Sequence, residues 1–270
     1  MTILIKLGGS LITDKQKVHS FRAGVARALA EQLSRLYEGN EKRRLLIGHG
    51  SGSFGHVEAQ KHGTAQGVTT PQDRLGFARV GAIATELSLL LQNEFIAAGL
   101  PMMRFQPSST AIANHGQIVS YDSRALSLAL DKGLIPLLHG DVALDEAING
   151  TIVSTESLFA HLAAPLKVSR IILLGEVDGV LDRRGAVIPL ITPQSLSGAL
   201  SALKGARGVD VTGGMRQKVK TMTALVRAQP MLHVVIANGK REGILVDLLE
   251  RQLQIGTRIS SDGSPNPPQF

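Results

Sequence analysis

Continuously apolar segments of strand length alternate along this chain with segments whose apolar residues recur at helical spacing, and this alternation constrains the fold most. The strand-like segments lie at residues 3–7, 45–47, 102–105, 118–119, 135–138, 151–154, 170–174 and 233–237. The helical patterns lie at residues 22–36, 73–98, 123–132, 156–164, 215–228 and 244–251. Apolar strands joined by helices form largely parallel sheets that are covered on both faces. The sequence therefore predicts an α/β fold, a three-layer αβα sandwich with a mainly parallel central sheet.

The chain is long enough to bury a sizeable hydrophobic core. Its 270 residues are 43% hydrophobic and 19% charged, which is typical of a globular protein. We predict a single domain over residues 1–258. Residues 259–270 contain a glycine and three prolines and are predicted to form a flexible tail.

The sequence contains no cysteine. This excludes disulfides, thiolate nucleophiles and cysteine-based metal sites, and it suits a reducing compartment. The apolar run at the N-terminus is too short for a signal peptide, and no continuous run reaches membrane-spanning length. We therefore predict a cytoplasmic protein without a membrane partner.

The formal net charge is +7, and most of it lies in one segment. Residues 201–258 hold ten lysines and arginines against four acidic residues, a local excess of +6. Proteins that bind single-stranded nucleic acid interleave such charges with aromatic side chains, but aromatic residues make up only 3% of this chain. A polyphosphate ligand fits the charge better, and no nucleic-acid partner is predicted.

A glycine-rich turn follows the strand predicted at residues 45–47. Residues 48–56 read Gly-His-Gly-Ser-Gly-Ser-Phe-Gly-His and contain four glycines. Glycines at this density let backbone N–H groups point into one concavity that binds anions. Because the turn stands at a strand end and opens a helix, we predict a phosphate site, with His56 as a hydrogen-bonding side chain beside it.

The same turn matches the dinucleotide-binding pattern G-x-G-x-x-G over residues 50–55, with Asp73 about 20 residues downstream. That pattern usually follows the first strand of its unit, whereas a full strand and helix precede it here. Asp73 lies in a polar stretch rather than at the end of an apolar strand. A nicotinamide-dependent oxidoreductase is therefore the weaker interpretation.

Three further loops carry chemistry that suits phosphates, which bind beyond the carboxyl ends of parallel strands. Residues 6–10 read Lys-Leu-Gly-Gly-Ser, with Lys15 nearby, and combine backbone donors with cationic side chains. Residues 177–180 form a Val-Asp-Gly-Val turn that contains Asp178. Residues 210–218 place a Gly-Gly pair before a basic helix, with Lys218 one turn into it. The pattern G-x-x-x-x-G-K-[ST] does not occur, so this is not a P-loop enzyme.

Together, these four loops resemble the amino acid kinase superfamily, and the resemblance runs from Met1 to about residue 258. Within it, the turn G-x-G-S-F-G-H at residues 50–56 is similar to that of isopentenyl phosphate kinases. Residues 6–15, Lys-Leu-Gly-Gly-Ser-Leu-Ile-Thr-Asp-Lys, share this similarity. Fosfomycin kinases also have the glycine turn and its histidine. A fosfomycin kinase-like enzyme, or another small-molecule kinase of the superfamily, is therefore the alternative.

The resemblance implies ATP-dependent phosphorylation of isopentenyl phosphate to isopentenyl diphosphate, with ATP and Mg²⁺, in a homodimer. It places the acceptor-binding lobe at about residues 1–165 and the ATP-binding lobe at about residues 166–258. No side chain is assigned as a direct metal ligand.

The resemblance also assigns roles to individual residues, carried over position by position. The catalytic residues would be Lys6, Lys15, His56 and Lys218. The ATP contacts would come from Lys6, Leu7, Gly8, Gly9, Ser10, Gly52, Asp178, Gly214 and Lys218. The acceptor would be held by Ser51, Gly55, His56 and Thr155.

The chain departs from the family pattern at three places. Ser51 stands where alanine is common, and Gly175-Glu176 replaces Thr-Asp. Residues 152–157, Ile-Val-Ser-Thr-Glu-Ser, replace a pattern that ends in Ser-Gly-Asp-Asp, whereas Asp141 keeps the Gly-Asp of the family. The helix that follows the glycine turn offers three apolar residues as isoprenoid-tail contacts or as core: Phe77, Val80 and Ile83.

Overall fold

The computed structural model describes residues 1–14, 16–38, 43–55, 59, 63–203 and 214–262. Its strands are β1 (Thr2–Leu7), β2 (Arg44–His49), β3 (Met102–Arg104), β4 (Ala111–Asn114), β5 (Gln117–Tyr121), β6 (Ile135–His139), β7 (Asp141–Asp145), β8 (Asn149–Val153), β9 (Val168–Gly175), β10 (Leu190–Ile191), β11 (His233–Asn238) and β12 (Thr257–Ile259). Its helices are α1 (Gly9–Ile12), α2 (Ala23–Glu38), α3 (Pro71–Ala97), α4 (Arg124–Asp131), α5 (Thr155–Leu162), α6 (Leu196–Leu203), α7 (Gly214–Ala228) and α8 (Ile244–Leu249). Short 3₁₀ turns lie at Thr64–Gln66 and Pro107–Ser109.

The main sheet has the strand order β10-β12-β11-β9-β1-β2-β6-β3. The six neighbouring strands from β11 to β3 are parallel to one another. Strand β12 is antiparallel to β11, and β10 pairs with β12 in the parallel direction. The loops after β11, β9, β1, β2 and β6 therefore emerge at one edge of the sheet, called here the carboxyl edge.

Helices cover both faces of this sheet, because alternate side chains of its apolar strands point to opposite sides. On one face, β-strand residues such as Ile5 and Ile47 pack with α2, α8 and the second half of α3. On the other, residues such as Leu4 and Leu46 pack with α4, α5, α6 and α7. The predicted three-layer architecture and mainly parallel sheet are confirmed.

A second sheet of four strands, β5-β4-β7-β8, was not expected from the sequence. The segments predicted as strands at residues 118–119 and 151–154 belong to it rather than to the main sheet. Its β4–β5 and β7–β8 pairs are antiparallel. Ala111, Ala143, Val153 and Leu158 form its small core. The sheet stands beside the carboxyl edge because β7 begins two residues after β6 ends.

The long helix α3 begins with a capping box between Thr70 and Asp73. The Thr70 hydroxyl accepts from the Asp73 N–H at 3.1 Å, and the Asp73 carboxylate accepts from the Thr70 N–H at 2.8 Å. Hydrogen bonds from the backbone of Thr70 and Thr69 lower the pKa of Asp73 to about 2. Asp73 thus caps a helix. It therefore no longer supports the interpretation of residues 50–55 as a dinucleotide-binding turn.

Among the described residues, α3 is the one helix that is long and apolar enough to cross a membrane, judged by length and composition alone. Only 39% of its most apolar window is buried within the protein. Its inner face packs on the main sheet through residues including Leu87, Leu91 and Phe95. One such helix is weak evidence for a membrane span.

The boundary predicted for the flexible tail is wrong by at least two residues. Ile259 ends β12, which pairs with β10 and β11, and both Ile259 and Ser260 are fully buried. The polar residues and prolines that follow in the sequence concealed this short strand, which lies between β10 and β11. Residues 263–270 lie outside the described part of the chain.

Candidate active site

Backbone hydrogen bonds across the carboxyl edge hold four loops side by side. The Gly8 N–H donates to the Leu174 carbonyl at 2.7 Å, and the Gly50 N–H donates to the Leu7 carbonyl at 3.0 Å. The Gly140 N–H donates to the His49 carbonyl at 3.1 Å. These bonds extend the parallel ladder past the strand ends, so the first loop and the glycine turn lie next to each other.

The two glycine-rich loops are in backbone contact at Gly9 and Gly52. A Cβ on Gly9 would lie 2.6 Å from the Gly52 Cα, so a side chain here would separate the loops. Gly52 has φ +50°, the left-handed conformation that glycine adopts without steric cost. Thr13 joins the loops further, since its hydroxyl donates to the Gly9 carbonyl at 2.7 Å and accepts from the Ser53 N–H at 3.0 Å.

Glu156 connects the two lysines that the sequence predicted at the ATP phosphates. Its Oε2 forms an ion pair with the Lys6 Nζ, and its Oε1 lies 3.8 Å from the Lys218 Nζ. The exposed fractions of the Lys6, Glu156 and Lys218 side chains are 11%, 12% and 21%. Two ammonium groups with one carboxylate leave a net positive charge, which suits a polyphosphate.

The Glu156 carboxylate is ionised at neutral pH. Burial raises its pKa, but the charges of Lys6 and Lys218 act in the opposite direction and the net pKa is lowered. Ser154 caps the helix that carries Glu156, since its hydroxyl accepts from the Ser157 N–H at 3.0 Å. Glu156 is thereby held where it can fix both lysine side chains.

The sequence analysis did not predict this role of Glu156. Glu156 entered it only as one of residues 152–157, where the chain departs from the family pattern. A carboxylate directly after a strand end, in the first turn of a capped helix, was the available signal. Its partners lie 150 and 62 positions away in the sequence, so spacing alone could not identify them.

Apart from Asp178, the remaining predicted site residues divide into three groups. Leu7, Gly8, Gly9 and Ser10 lie at the carboxyl edge with the glycine-turn residues Ser51, Gly52 and Gly55. Thr155 begins α5, and its hydroxyl donates to the His49 carbonyl at 2.6 Å, while Gly214 begins α7. Lys15 and His56 lie outside the described residues.

A family model described as the amino acid kinase family matches residues 1–238. The chain belongs to the amino acid kinase family. Among curated relatives, the isopentenyl phosphate kinase of Methanothermobacter thermautotrophicus is 30% identical over 267 residues, covering 96% of this chain and 98% of the relative. That of Haloferax volcanii is 34% identical over 224 residues, covering 83% and 88%.

A solved structure of an isopentenyl phosphate kinase superposes on this amino acid kinase with a TM-score of 0.80 at 25% identity. The match covers 96% of this chain and all of the solved chain. The family resemblance and the fold predicted from the sequence are thus confirmed.

In this amino acid kinase, the loop after β9 carries two carboxylates with different partners. The Asp178 Oδ1 accepts from the Asn238 amide at 2.9 Å. Glu176 accepts from the Arg22 Nη1 at 2.7 Å and from the Lys240 Nζ at 2.6 Å. Glu176 therefore ties the loops after β9 and β11 to the start of α2.

Among the described residues, no group of three or more histidine, aspartate or glutamate side chains is arranged to hold a metal ion. The carboxylates near the carboxyl edge already have polar partners. Asp141, for example, accepts from the Gln106 amide at 2.8 Å and from the Ser108 N–H at 3.1 Å. Since Mg²⁺ in kinases is held largely by substrate phosphates and water, this arrangement is compatible with a metal that arrives with the nucleotide.

Two fully buried histidines stack at the carboxyl edge. His49 and His139 are register partners, and their ring centroids lie 5.4 Å apart with the planes inclined by 13°. The His49 Nδ1 lies 3.1 Å from the Gly50 carbonyl oxygen. Within the described chain, the His49 Nε2 and both ring nitrogens of His139 have no hydrogen-bond partner.

Both rings are neutral in the folded kinase. Burial, and then the neighbouring His139, lowers the pKa of His49 to about 3. Burial, and then Arg104, lowers the pKa of His139 to about 4. In the unfolded chain, both would titrate near 6.5.

We expect the free energy of unfolding to fall as the pH drops from 6.5 toward 4. Over this range the unfolded chain binds protons that the folded rings do not, which costs about 1.4 kcal/mol per pH unit for each histidine. By about pH 5 the two histidines together should remove about 4 kcal/mol. Burial raises the pKa of Asp141, and its protonation as the pH falls opposes part of this loss.

Urea unfolding at neutral pH and at about pH 5 measures this difference. The double variant His49→Gln/His139→Gln should lose most of the pH dependence, whereas His161→Gln on α5 should keep it. An unchanged pH dependence in the double variant would contradict the assignment.

Proposed function

We propose that this protein transfers the γ-phosphoryl group of ATP to isopentenyl phosphate and forms isopentenyl diphosphate. The observation that carries the proposal is the Lys6–Glu156–Lys218 arrangement, with Lys6 and Glu156 buried, beside two interlocked glycine loops. It provides cationic charge where a donor and an acceptor phosphate could meet. The similarity to isopentenyl phosphate kinases supports this choice of acceptor.

A phosphate acceptor needs no general base. The second pKa of a phosphate monoester is about 6, so the acceptor is already largely a dianion at neutral pH. The difficulty lies in bringing two anions together, and phosphoryl transfer is catalysed mainly by positioning and charge neutralisation. Lys6 and Lys218 supply that charge, and Glu156 keeps them in place.

We assign ATP to the residues around the two lysines and to the lobe formed by about residues 166–258. The phosphates would contact Lys6, Lys218, the backbone of residues 7–10, and Gly52. Gly214 would approach them at the start of α7, and Asp178 would lie near the nucleoside. Mg²⁺ bound to these phosphates would neutralise further charge during transfer.

The acceptor is assigned to the lobe formed by about residues 1–165. Its phosphate would contact Ser51, Gly55 and Thr155, together with His56 and Lys15 from outside the described residues. Val80 is 4% exposed and Ile83 packs against the core, so these two are core residues. Phe77 faces Gly150 of the small sheet and is the better candidate for contact with the apolar tail.

The test is ADP release measured in parallel with isopentenyl phosphate, dimethylallyl phosphate, fosfomycin, glutamate and acetylglutamate. We expect isopentenyl phosphate to give the highest kcat/KM, with a diphosphate product visible by phosphorus NMR. If fosfomycin alone stimulated ADP release, the protein would be the alternative, a fosfomycin kinase-like enzyme. No stimulation by either prenyl phosphate would refute the proposal.

Replacing Glu156 by glutamine should lower kcat about 10- to 100-fold, because misplaced catalytic groups lose much of their effect. The amide retains the size of the carboxylate but no longer holds both ammonium groups. Glu156→Asp keeps the charge and should recover part of the rate, which a purely structural role would not predict. Steady-state kinetics at saturating ATP measures both, and wild-type kcat in Glu156→Gln would contradict the positioning role.

We further propose a cytoplasmic homodimer. Helix α3 presents apolar residues at intervals of seven on its outer face: Leu75, Ala82, Leu89 and Ile96. Leu75, Leu89 and Ile96 are 54%, 48% and 50% exposed, and such a stripe along one helix face suits packing against a second copy.

The variant Leu89→Glu should convert the dimer to a monomer, because it places a charge in the middle of this stripe. Light scattering after size-exclusion chromatography would report the change from twice the 28.7 kDa chain mass to the mass of one chain. Leu128→Glu, at a residue of α4 that is 58% exposed, is the matched control. A wild-type monomer, or a dimeric Leu89→Glu variant, would contradict the interface.

A further inference from the structure

A cavity of about 290 Å³ lies on the face of the main sheet that α8 covers. It is lined by residues of the neighbouring strands β9, β11, β12 and β10, by Leu248 of α8 and by residues 252–256, which follow α8. Arg170 and His233 are register partners near the start of their strands. Arg170 precedes Gly175 by five residues, which at the usual rise of a strand is about 16 Å from the carboxyl edge.

Three basic side chains line this cavity, Arg170, His233 and Arg258, together with the amides of Gln252 and Gln254. His233 is only 7% exposed, and its Nδ1 has no hydrogen-bond partner in the described part of the chain. The buried Arg258 Nη1 is likewise unpartnered. The Arg170 Nη1 donates to the Leu248 carbonyl at 2.7 Å, which fixes the guanidinium at the cavity wall.

The rest of the lining is mainly apolar, with Ile172, Val235, Leu248, Leu253 and Ile255 among its side chains. The volume is near the lower end of the range for small-molecule sites, which begins at about 300 Å³. A few convergent polar groups in an apolar pocket are typical of such sites.

The charge in the cavity is positive. Burial lowers the pKa of His233, as do Arg258 and Arg170, whereas the charge of Asp262 raises it. Burial also lowers the pKa of Arg258, again against Asp262. Asp262 is the acidic residue that acts on both groups, and it does not line the cavity. A buried guanidinium N–H without a hydrogen-bond acceptor, such as that of the Arg258 Nη1, is costly, and a bound anion would remove that cost.

We propose that this cavity binds a small organic oxyanion with a short aliphatic body. The anionic head accepts hydrogen bonds from Arg258 and His233, and the aliphatic part packs on Leu253 and Ile255. This site is separate from the phosphate site at the carboxyl edge, and its test does not depend on kinase activity.

The probes are pentanoate and pentyl phosphate, with 1-pentanol as the neutral analogue and inorganic phosphate as the head group alone. Binding is followed by the imidazole NMR signals of His233, assigned with His233→Gln. We expect pentanoate and pentyl phosphate to shift these signals saturably at millimolar concentration. Inorganic phosphate should bind more weakly, and pentanol should not shift them.

Arg258→Gln should weaken binding of the anionic probes about tenfold or more, since a charge-assisted hydrogen bond is lost. Arg227→Gln, on the exposed end of α7, makes the same charge change away from the cavity and should leave the affinity unchanged. Leu253→Trp fills the cavity without altering its charge and should abolish binding, which keeps the test decisive if Arg258→Gln does not fold.

Three outcomes would overturn the proposal. The first is no shift of the His233 signals with either anionic probe. The second is binding of 1-pentanol as tight as that of pentanoate. The third is wild-type affinity in the folded Leu253→Trp variant.

Discussion

Replacing Lys6 by methionine should lower kcat/KM for isopentenyl phosphate about 10³-fold, in line with the loss of a preorganised charge at a transferring phosphoryl group. Lys6 is the next-to-last residue of β1, two positions before Gly8, and only 11% of its side chain is exposed. In such a site neither water nor salt can replace the missing cation. Coupled ADP release at several concentrations of ATP and acceptor measures the effect.

This substitution also leaves Glu156 with one cation fewer, so folding needs its own control. Thermal unfolding should be compared with that of Lys6→Met/Glu156→Gln, which removes the unpaired carboxylate. Lys132→Met, at the exposed end of α4, removes a lysine away from the carboxyl edge and should retain full activity. If the double variant turned over substrate at the wild-type rate, Lys6 would be a structural counter-charge and its catalytic assignment would be wrong.

Replacing His56 by alanine should lower kcat/KM about 10²- to 10³-fold, by analogy with the loss of one hydrogen-bond donor to a transition-state oxygen. His56 closes the glycine turn in the sequence and is proposed to orient the acceptor phosphate. Because it acts on the acceptor, the affinity for ATP should be retained. Kinetics with isopentenyl phosphate, together with a direct measurement of ATP binding, separates the two effects.

His161→Ala, at the far end of α5, is the matched control for loss of an imidazole and should retain activity. His56→Gln keeps a hydrogen-bond donor and should recover part of the rate. Near-normal turnover in His56→Ala, or an equal loss of ATP affinity, would be incompatible with an acceptor-specific role.

The central sheet was predictable because its strands are short, continuously apolar runs separated by helical patterns. The segment at residues 135–138, for example, lies within β6 (Ile135–His139) and is fully buried. The second sheet was not predictable in the same way. Strands such as β4 (Ala111–Asn114) and β7 (Asp141–Asp145) are short and carry polar residues, and their pairing depends on contacts with other segments.

The loops of the candidate site were predictable because glycines and lysines directly follow apolar strands, and parallel strands bring such loops together. The ion pairs were not. Glu156 acquires its role only when α5 and α7 meet β1, and Glu176 pairs with Arg22 across 154 positions of sequence. The stacked pair of His49 and His139 likewise depends on the register of β2 and β6.

The contact between Gly9 and Gly52, with Thr13 bonded to both loops, has a consequence for engineering the enzyme. The two loops form one mechanical unit, so neither can be exchanged by itself. A glycine turn transplanted from a kinase with another acceptor would need its own partner for residues 8–13, because a mismatch would displace the nucleotide loop as well. Acceptor specificity should therefore be easier to redesign in α3 and the small sheet, which can vary without moving the phosphates.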